Sequence, residues 1–243
     1  MHYLYNTFFY EPLYNSLILL IKIVPWHSVG IAVVLLTIIV KLLLFPLSQK
    51  SIKTQLQMKL LEPDLNDIKI KYKDNKQLQA EKIMQIYKEK GLNPFSGIIQ
   101  LFVQLPVLIA LYQVFLRGGL PNIDINLTYF FVNIPDFVNM NFFGVNMIEK
   151  SIIFGFFAAL AQFIQIQFSL SNKNKKNIDN KKDLDFKDEL AKSMNMQMKY
   201  VMPIVIFFIA KSLPVVVSLY LITSSTFAIF QEVYIKHKNN VYK

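Results

Sequence analysis

The sequence predicts an all-α polytopic membrane protein with five transmembrane helices, a cytoplasmic helical hairpin and an N-terminal interfacial amphipathic helix. Three observations predict this class. The 243 residues are 53% hydrophobic with a positive mean hydropathy, long apolar stretches recur along the chain, and two Lys-rich polar segments separate them. A chain of this composition is expected to bury its apolar surface in lipid and not in one soluble core.

The composition also excludes several kinds of site. Cys is absent, which excludes disulfides, thiolate metal ligands and a cysteine nucleophile. The three His residues, His2, His27 and His237, lie far apart, so no metal, cofactor or enzymatic dyad is expected. In a membrane protein the net charge of +10 indicates cytoplasmic loops and contact with anionic lipid, and no direct contact with nucleic acid.

Residues 1–27 are predicted to lie in the membrane interface. Their apolar core, 13–24, is interrupted by Tyr14, Asn15 and Lys22 and ends before Trp26. This is too short and too polar to span, and an amphipathic helix held by Tyr and Trp fits better. If residues 12–25 did span, the order of the spans would invert, or the tail would end on the other side.

The first span, residues 28–46, carries one positive charge inside an apolar stretch. After Gly30 its apolar character is interrupted only by Thr37, Lys41 and Pro46. Lys41 lies about 8 Å before Pro46 along a helix, and its burial costs up to about 3 kcal/mol if the ammonium cannot reach water. Either this side chain snorkels to the headgroups or its charge has a function.

A cytoplasmic two-helix hairpin is predicted over residues 50–92, with a turn at Asp74-Asn75. The surrounding segment, 47–93, has ten Lys against six acidic residues. Pro63 suits the first turn of the first helix, and Asn93-Pro94 follows the end of the second. The predicted apolar faces consist of Leu65, Ile68, Tyr72, Ile83, Ile86 and Tyr87.

Four further spans are predicted at about 95–116, 151–170, 200–210 and 214–233. The second contains Gln104 and Pro106, and the third places Gln162 and Gln165 on one helical face. The fourth span contains Pro203 and the fifth begins at Pro214, and the short connection between them predicts a tight hairpin. Residues 171–199 are predicted to be a cytoplasmic loop, disordered in its first half and helical in its second, and 234–243 a short basic tail.

The charges of the loops predict the orientation in the membrane. The loop between the second and third spans has two basic residues, Arg117 and Lys150, against three acidic ones. The Lys-rich segments and the tail are therefore placed in the cytoplasm and the N-terminus outside.

Polar side chains in the spans predict a hydrated groove between helices, formed by Lys41, Thr37, Gln104, Gln165 and Ser224. No Asp or Glu lies deep in a span, which argues against an ion-coupled transporter or a cation channel. Each amide or hydroxyl taken singly also suits an interhelical hydrogen bond. A groove with one cation would suit a polypeptide that carries Asp or Glu.

Several ordered motifs resemble the YidC/Oxa/Alb family of membrane protein insertases over nearly the whole chain. They are Thr37-Ile38-Ile39-Val40-Lys41 with Pro46, Met58 to Pro63, Tyr72-Lys73, Tyr87-Lys88, Asn93-Pro94, Gln104-Leu105-Pro106-Val107, Ala110-Leu111-Tyr112, Tyr200 to Pro203, Leu213-Pro214 and Leu219-Tyr220.

The resemblance implies five core spans around a groove open to lipid and cytoplasm, with Lys41 as its charge and Tyr220 among its residues. It implies that the hairpin receives nascent membrane proteins, without ATP hydrolysis, and that the protein acts alone or beside the Sec translocon. A bacterial plasma membrane is expected, because no Arg- and Ser-rich transit peptide precedes residue 1. Some members bind the ribosome through a longer tail, for which the tail of this sequence is expected to be too short. Only about 27 residues precede the first span, so the large extracytoplasmic domain of some bacterial members is not expected here.

The chain departs from the family pattern at four positions. Lys41 stands where Arg is usual, Val216 where Gly is usual, Leu221 where Trp or Tyr is usual, and Ser225 where Asn is common. Two other functions remain open at this point: a small-solute transporter or channel, and a structural helix-packing subunit.

Overall fold

The computed structural model describes residues 5–93, 96–116, 120–170 and 200–238. The described chain is mostly helical. After a π-helical turn at Asn6–Tyr10, its α-helices are α1 Glu11–Ile23, α2 Val29–Leu43, α3 Phe45–Leu60, α4 Glu62–Lys71, α5 Lys76–Glu89, α6 Ser96–Leu116, α7 Ile152–Leu170, α8 Met202–Ser212 and α9 Val215–Lys238. The predicted loop 171–199, Pro94 and residues 239–243 of the tail lie outside the described residues.

Two of the described helices are long and apolar enough to cross a membrane. They are Ile152–Ser169 of α7 and Val215–Lys238, and α2 and α3 counted together would add a third. The Gln104–Leu116 part of α6 and helix α8 are apolar but shorter. The helical membrane class is thus confirmed, whereas the number of five spans stays a prediction.

The helix boundaries differ most clearly from the predicted ones around Pro46 and at the end of the last helix. Pro46 does not end a helical stretch, because α3 begins at Phe45 with this proline in its first turn and continues to Leu60. A proline is tolerated there, since the first turn has no intrahelical partner for its missing N–H. The last helix continues to Lys238, so residues 234–238 of the predicted tail are helical.

The chain divides into two compact units. Unit 1 consists of Met1–Leu42 and Val107–Tyr234, and unit 2 of Leu43–Pro106 and Ile235–Lys243. The core of unit 1 joins α1, α2, the second half of α6 and the start of α9. Its α1 residues recur at helical spacing on one face, which is almost fully buried: Tyr14, Leu17, Ile18 and Ile21.

A cap, residues 120–150, covers one end of unit 1. It contains a 3₁₀ turn at Ile125–Leu127 and a small antiparallel hairpin of β1, Asn141–Phe142, and β2, Val145–Asn146. A Cβ atom added at Gly30 in the first turn of α2 would overlap the ring of Phe142. The absence of a side chain at Gly30 therefore lets the hairpin lie directly on α2.

Asn15 of α1 joins this cap to the helix. Its Nδ2 donates to the backbone oxygen of Leu127 at 2.8 Å, and its Oδ1 accepts from the backbone N–H of Tyr129 at 2.6 Å. The neighbouring Tyr14 hydroxyl accepts from the backbone N–H of Asp124 at 2.8 Å. These bonds satisfy polar groups that the packing of α1 would otherwise bury without a partner.

Helices α7 and α8 pack against each other within unit 1. A Cβ atom at Gly155 would stand 2.9 Å from the backbone nitrogen of Lys211, so the two backbones approach closely at this glycine. Small residues at helix contacts are typical of membrane proteins, where van der Waals packing drives association.

Unit 2 contains the hairpin of α4 and α5. Asn75 caps α5 by accepting from the backbone N–H of Leu78 at 3.0 Å, and the buried Gln79 donates to the backbone oxygen of Lys69 at 2.9 Å. The Ser51 hydroxyl of α3 donates to the backbone oxygen of Ser96 at 2.9 Å, which ties α3 to the start of α6.

Candidate functional site

Lys41 and Thr37 lie one turn apart on α2 and are both buried. Lys41 is 8% exposed and Thr37 3%. Residues four apart share a helical face, so the charge and the hydroxyl point to the same side of α2. The Thr37 hydroxyl donates to the backbone oxygen of Val33 at 2.7 Å, which is the usual way that a helix satisfies a buried Thr.

Tyr220 and Ser224 form a second buried pair one turn apart, on α9. Tyr220 and Thr37 line the same cavity, together with Leu13, Leu36, Val40, Val107 and Leu111. Its volume is about 10 Å³, which is at most the room that one water needs. The structure thus brings Thr37 and Tyr220 together across a tightly packed contact.

The two glutamines predicted for the groove, Gln165 and Gln104, are not among the residues that line the cavity of Thr37 and Tyr220. Gln165, on α7, is half-buried within unit 1, and Gln104, on the part of α6 that belongs to unit 2, is half-buried as well. A hydrated groove that includes all six residues therefore stays a prediction.

One polar contact between helices was not assigned from the sequence. The Ser225 hydroxyl of α9 donates to Oε1 of Gln162 on α7 at 3.0 Å. The groove predicted from the sequence includes instead Ser224, which directly precedes Ser225, and Gln165, which lies three residues after Gln162. Helical periodicity gave the faces of α7 and α9, but the pairing of one residue with another depends on how the two helices are packed.

Two of the departures from the family pattern, Val216 and Leu221, pack within unit 1. Val216 is fully buried, and its N–H donates to the backbone oxygen of Met147 at 3.1 Å. Leu221 is half-buried against the core, and the aromatic side chain that faces the cavity beside Thr37 comes from Tyr220.

The apolar residues assigned to the cytoplasmic hairpin are mostly turned inward. Leu65 is buried, and the other five, Ile68, Tyr72, Ile83, Ile86 and Tyr87, are half-buried. Other apolar side chains of unit 2 are more exposed, namely Leu60, Ile70 and Met84. Leu60 also borders an open cavity of about 200 Å³, whose lining is completed by Gln57, Leu61, Lys90 and Leu92.

A structural role is predicted for Pro46, Pro63, Pro94, Pro106, Pro203 and Pro214. The five of these that the structure describes occupy three kinds of position. Pro63 and Pro203 lie in the first turns of α4 and α8, as Pro46 does in α3. Pro106 lies inside α6, and Pro214 stands directly before α9, where it is paired with Lys150 of the cap. Among the described residues, no cluster of His, Asp and Glu is arranged to hold a metal ion.

Comparison with known proteins identifies relatives of this chain. A family model described as the 60Kd inner membrane protein matches residues 20–241. The chain is 31% identical over 209 residues to the membrane protein insertase YidC of Fusobacterium nucleatum subsp. nucleatum, a match that covers 86% of each protein.

Two other relatives are longer proteins. YidC of Oleidesulfovibrio alaskensis is 37% identical over 135 residues, which are 56% of this chain and 24% of that protein. YidC of Francisella tularensis subsp. novicida is 38% identical over 89 residues, 37% of this chain and 16% of that protein. The family model and the F. nucleatum relative each extend over most of this chain, which confirms the resemblance seen in the motifs: the chain belongs to the 60Kd inner membrane protein family, that is, to the YidC/Oxa/Alb family.

Proposed function

We propose that this protein is a membrane protein insertase that helps nascent membrane proteins enter and fold in the bilayer. The observation that carries the proposal is the burial of Lys41 in an otherwise apolar helix, one turn from the buried Thr37. Burying an ammonium is costly, and an ionisable residue within a span marks a functional site. The relatives named as insertases support the same function.

In this proposal Lys41 attracts acidic groups of the substrate. A unit charge at about 4 Å from a carboxylate gains about 4 kcal/mol at an effective dielectric of about 20, before the cost of desolvation is subtracted. That attraction offsets part of the cost of drawing a polar segment into the bilayer. The apolar segment of the substrate then moves sideways into lipid, and no covalent chemistry is needed.

The remaining groove residues would hydrate the substrate's polar segment. They are Thr37, Gln104, Gln165, Tyr220 and Ser224. The Thr37–Tyr220 contact encloses only about 10 Å³, so a substrate would have to separate α2 and α9 there or enter closer to Lys41. The hairpin α4–α5 would receive the substrate in the cytoplasm, with the N-terminus of the protein outside and the Sec translocon and the ribosome as further partners.

The test is complementation of a strain depleted of its own insertase, scored by insertion of a small membrane protein with an acidic tail. The variants are Lys41→Arg, Lys41→Ala and Lys41→Glu, and the matched control is Lys50→Ala, which removes an exposed lysine from α3. We expect Arg and the control to insert as wild type does, whereas Ala and Glu lose insertion at equal protein levels. Equal insertion by all variants would show that Lys41 only snorkels.

A further inference from the structure

The cap and the turn before α2 expose a set of aromatic side chains that the insertase mechanism does not use. This outer aromatic set consists of Trp26, Phe130, Phe131, Phe137 and Phe143. Phe130 is 100% exposed, Phe143 86% and Trp26 74%. Surfaces of this size and apolarity are costly in water, because each large side chain forgoes about 1.5–3 kcal/mol of burial.

The backbone holds three of these aromatic residues, Trp26, Phe137 and Phe143, near the start of α2. Asn139 and residues 27–29 exchange hydrogen bonds, since Val29 N–H donates to the Asn139 oxygen at 3.0 Å and Asn139 N–H donates to the His27 oxygen at 3.1 Å. These bonds place Phe137 beside the start of α2, where its ring meets the His27 ring with 4.7 Å between centroids. Phe143 follows Phe142, which lies on Gly30.

The other end of the cap is attached to the last helix in the same way. The N–H groups of Val215 and Val216 donate to the oxygens of Glu149 and Met147 at 2.8 and 3.1 Å. Residues 139–149 of the cap therefore lie at the level where α2 and α9 both begin, and for membrane-crossing helices that level is the boundary between hydrocarbon and water.

The chemistry of the cap suits the lipid interface. Asp136 is the one charged residue between 125 and 143, and its carboxylate is 3.4 Å from the Lys22 ammonium. The exposed rings are attached at separate points. Phe130 and Phe131 follow Tyr129, which is bonded to α1, Phe137 lies beside the start of α2, and Phe143 is in the β-hairpin. A partner that contacts all of these points has to be extended and apolar, which suits the surface of a bilayer.

We propose that the outer aromatic set inserts into the headgroup and upper acyl region of the leaflet at this end of the molecule, so that the cap binds the lipid surface and fixes how deeply α2 and α9 lie in the bilayer. Rings at this interface enter about 5–10 Å into the boundary between headgroups and acyl chains. Because Asp136 is the one charged residue among 125–143, the binding is expected on neutral and anionic lipid alike.

The chain contains a single Trp, which makes fluorescence quenching a direct test. The full protein is reconstituted in phosphatidylcholine vesicles whose acyl chains carry bromine either close to the headgroup or close to the chain end. Besides wild type, the single Trp is moved to Phe130, Phe137 or Phe143 in a Trp26→Phe background. We expect each of these four proteins to lose more fluorescence to the shallow bromines than to the deep ones.

Two controls set the scale. Ile39→Trp, in the same background, places the probe on the exposed side of α2, where the deep bromines should quench more strongly. Lys76→Trp places it at the exposed start of α5, where quenching should be weakest. Quenching at 130 and 143 as weak as at 76 would overturn the proposal and indicate that the rings face water or another protein. Stronger quenching there by the deep bromines would overturn it as well.

Discussion

At the scale of single residues, we assign different roles to two buried polar side chains of unit 1, Lys41 and Asn15. Lys41 is buried within an apolar helix and makes the helix more expensive to place in the membrane, so its presence calls for a function. Asn15 is also buried, and both ends of its amide have hydrogen-bond partners on the cap. A satisfied buried amide stabilises one arrangement of the chain, so we interpret Asn15 as structural.

Asn15→Ala is predicted to destabilise unit 1. The substitution leaves the Leu127 oxygen and the Tyr129 N–H without the amide, at a cost of about 1–3 kcal/mol in the free energy of unfolding. For a domain of this size that corresponds to a fall of a few degrees in Tm. The measurement is thermal unfolding of the purified protein in detergent.

The matched control for this variant is Asn133→Ala. Asn133 is an exposed asparagine of the same cap, and its loss should leave Tm nearly unchanged. Equal Tm values for the two variants would contradict the structural role given to Asn15.

At the scale of elements, the exposure of apolar side chains in unit 2 indicates which of them can contact a substrate. Its predicted apolar faces were derived from helical spacing, and in the structure those residues are buried or half-buried. Leu60, at the end of α3, is 72% exposed and borders the open cavity beside Lys90. An apolar surface next to a cation suits a substrate segment in which an acidic residue adjoins apolar ones.

Site-specific photo-crosslinking tests which part of unit 2 touches substrate. A photoreactive residue at Leu60 is expected to capture a nascent membrane protein more efficiently than one at Ile68, because the side chain at 68 is half-buried. The control position is Gln79, which is buried and hydrogen-bonded to Lys69 and should give no product. Stronger capture from Ile68 than from Leu60 would show instead that the hairpin opens to receive substrate.

At the scale of the whole molecule, the distribution of charge predicts the orientation in the membrane. The segment 47–93 has an excess of Lys, and the cap and its flanks do not. Lys-rich loops stay in the cytoplasm, so the cap is expected outside and the end of α9 inside. The proposed binding of the cap to lipid would then take place in the outer leaflet.

Cysteine labelling tests this orientation, because the natural chain contains no Cys. Single replacements Asn133→Cys in the cap, Asp74→Cys in the hairpin turn and Lys238→Cys at the end of α9 are all at exposed positions. A maleimide that cannot cross membranes should label position 133 on intact spheroplasts, and positions 74 and 238 only after permeabilisation. The opposite pattern would show that the protein is inverted.

What the sequence by itself determined are the features that local rules control. Apolar composition and Lys-rich segments predicted a helical membrane protein, an apolar stretch predicted α7 to within one residue at its start, and the ordered motifs identified the family. The singular position of Lys41 was also evident, since a charge in an apolar stretch is visible without any knowledge of packing.

Only the tertiary structure decided which surfaces meet. The Asn15 contacts join residues more than a hundred positions apart, and the pairing of Ser225 with Gln162 and of Tyr220 with Thr37 depends on helix rotation and approach. Pro46 was consistent with either the end of one helix or the first turn of the next. Local sequence sets the periodicity of each element, but the partner of each face is set by the packing of the whole chain, which no single segment encodes.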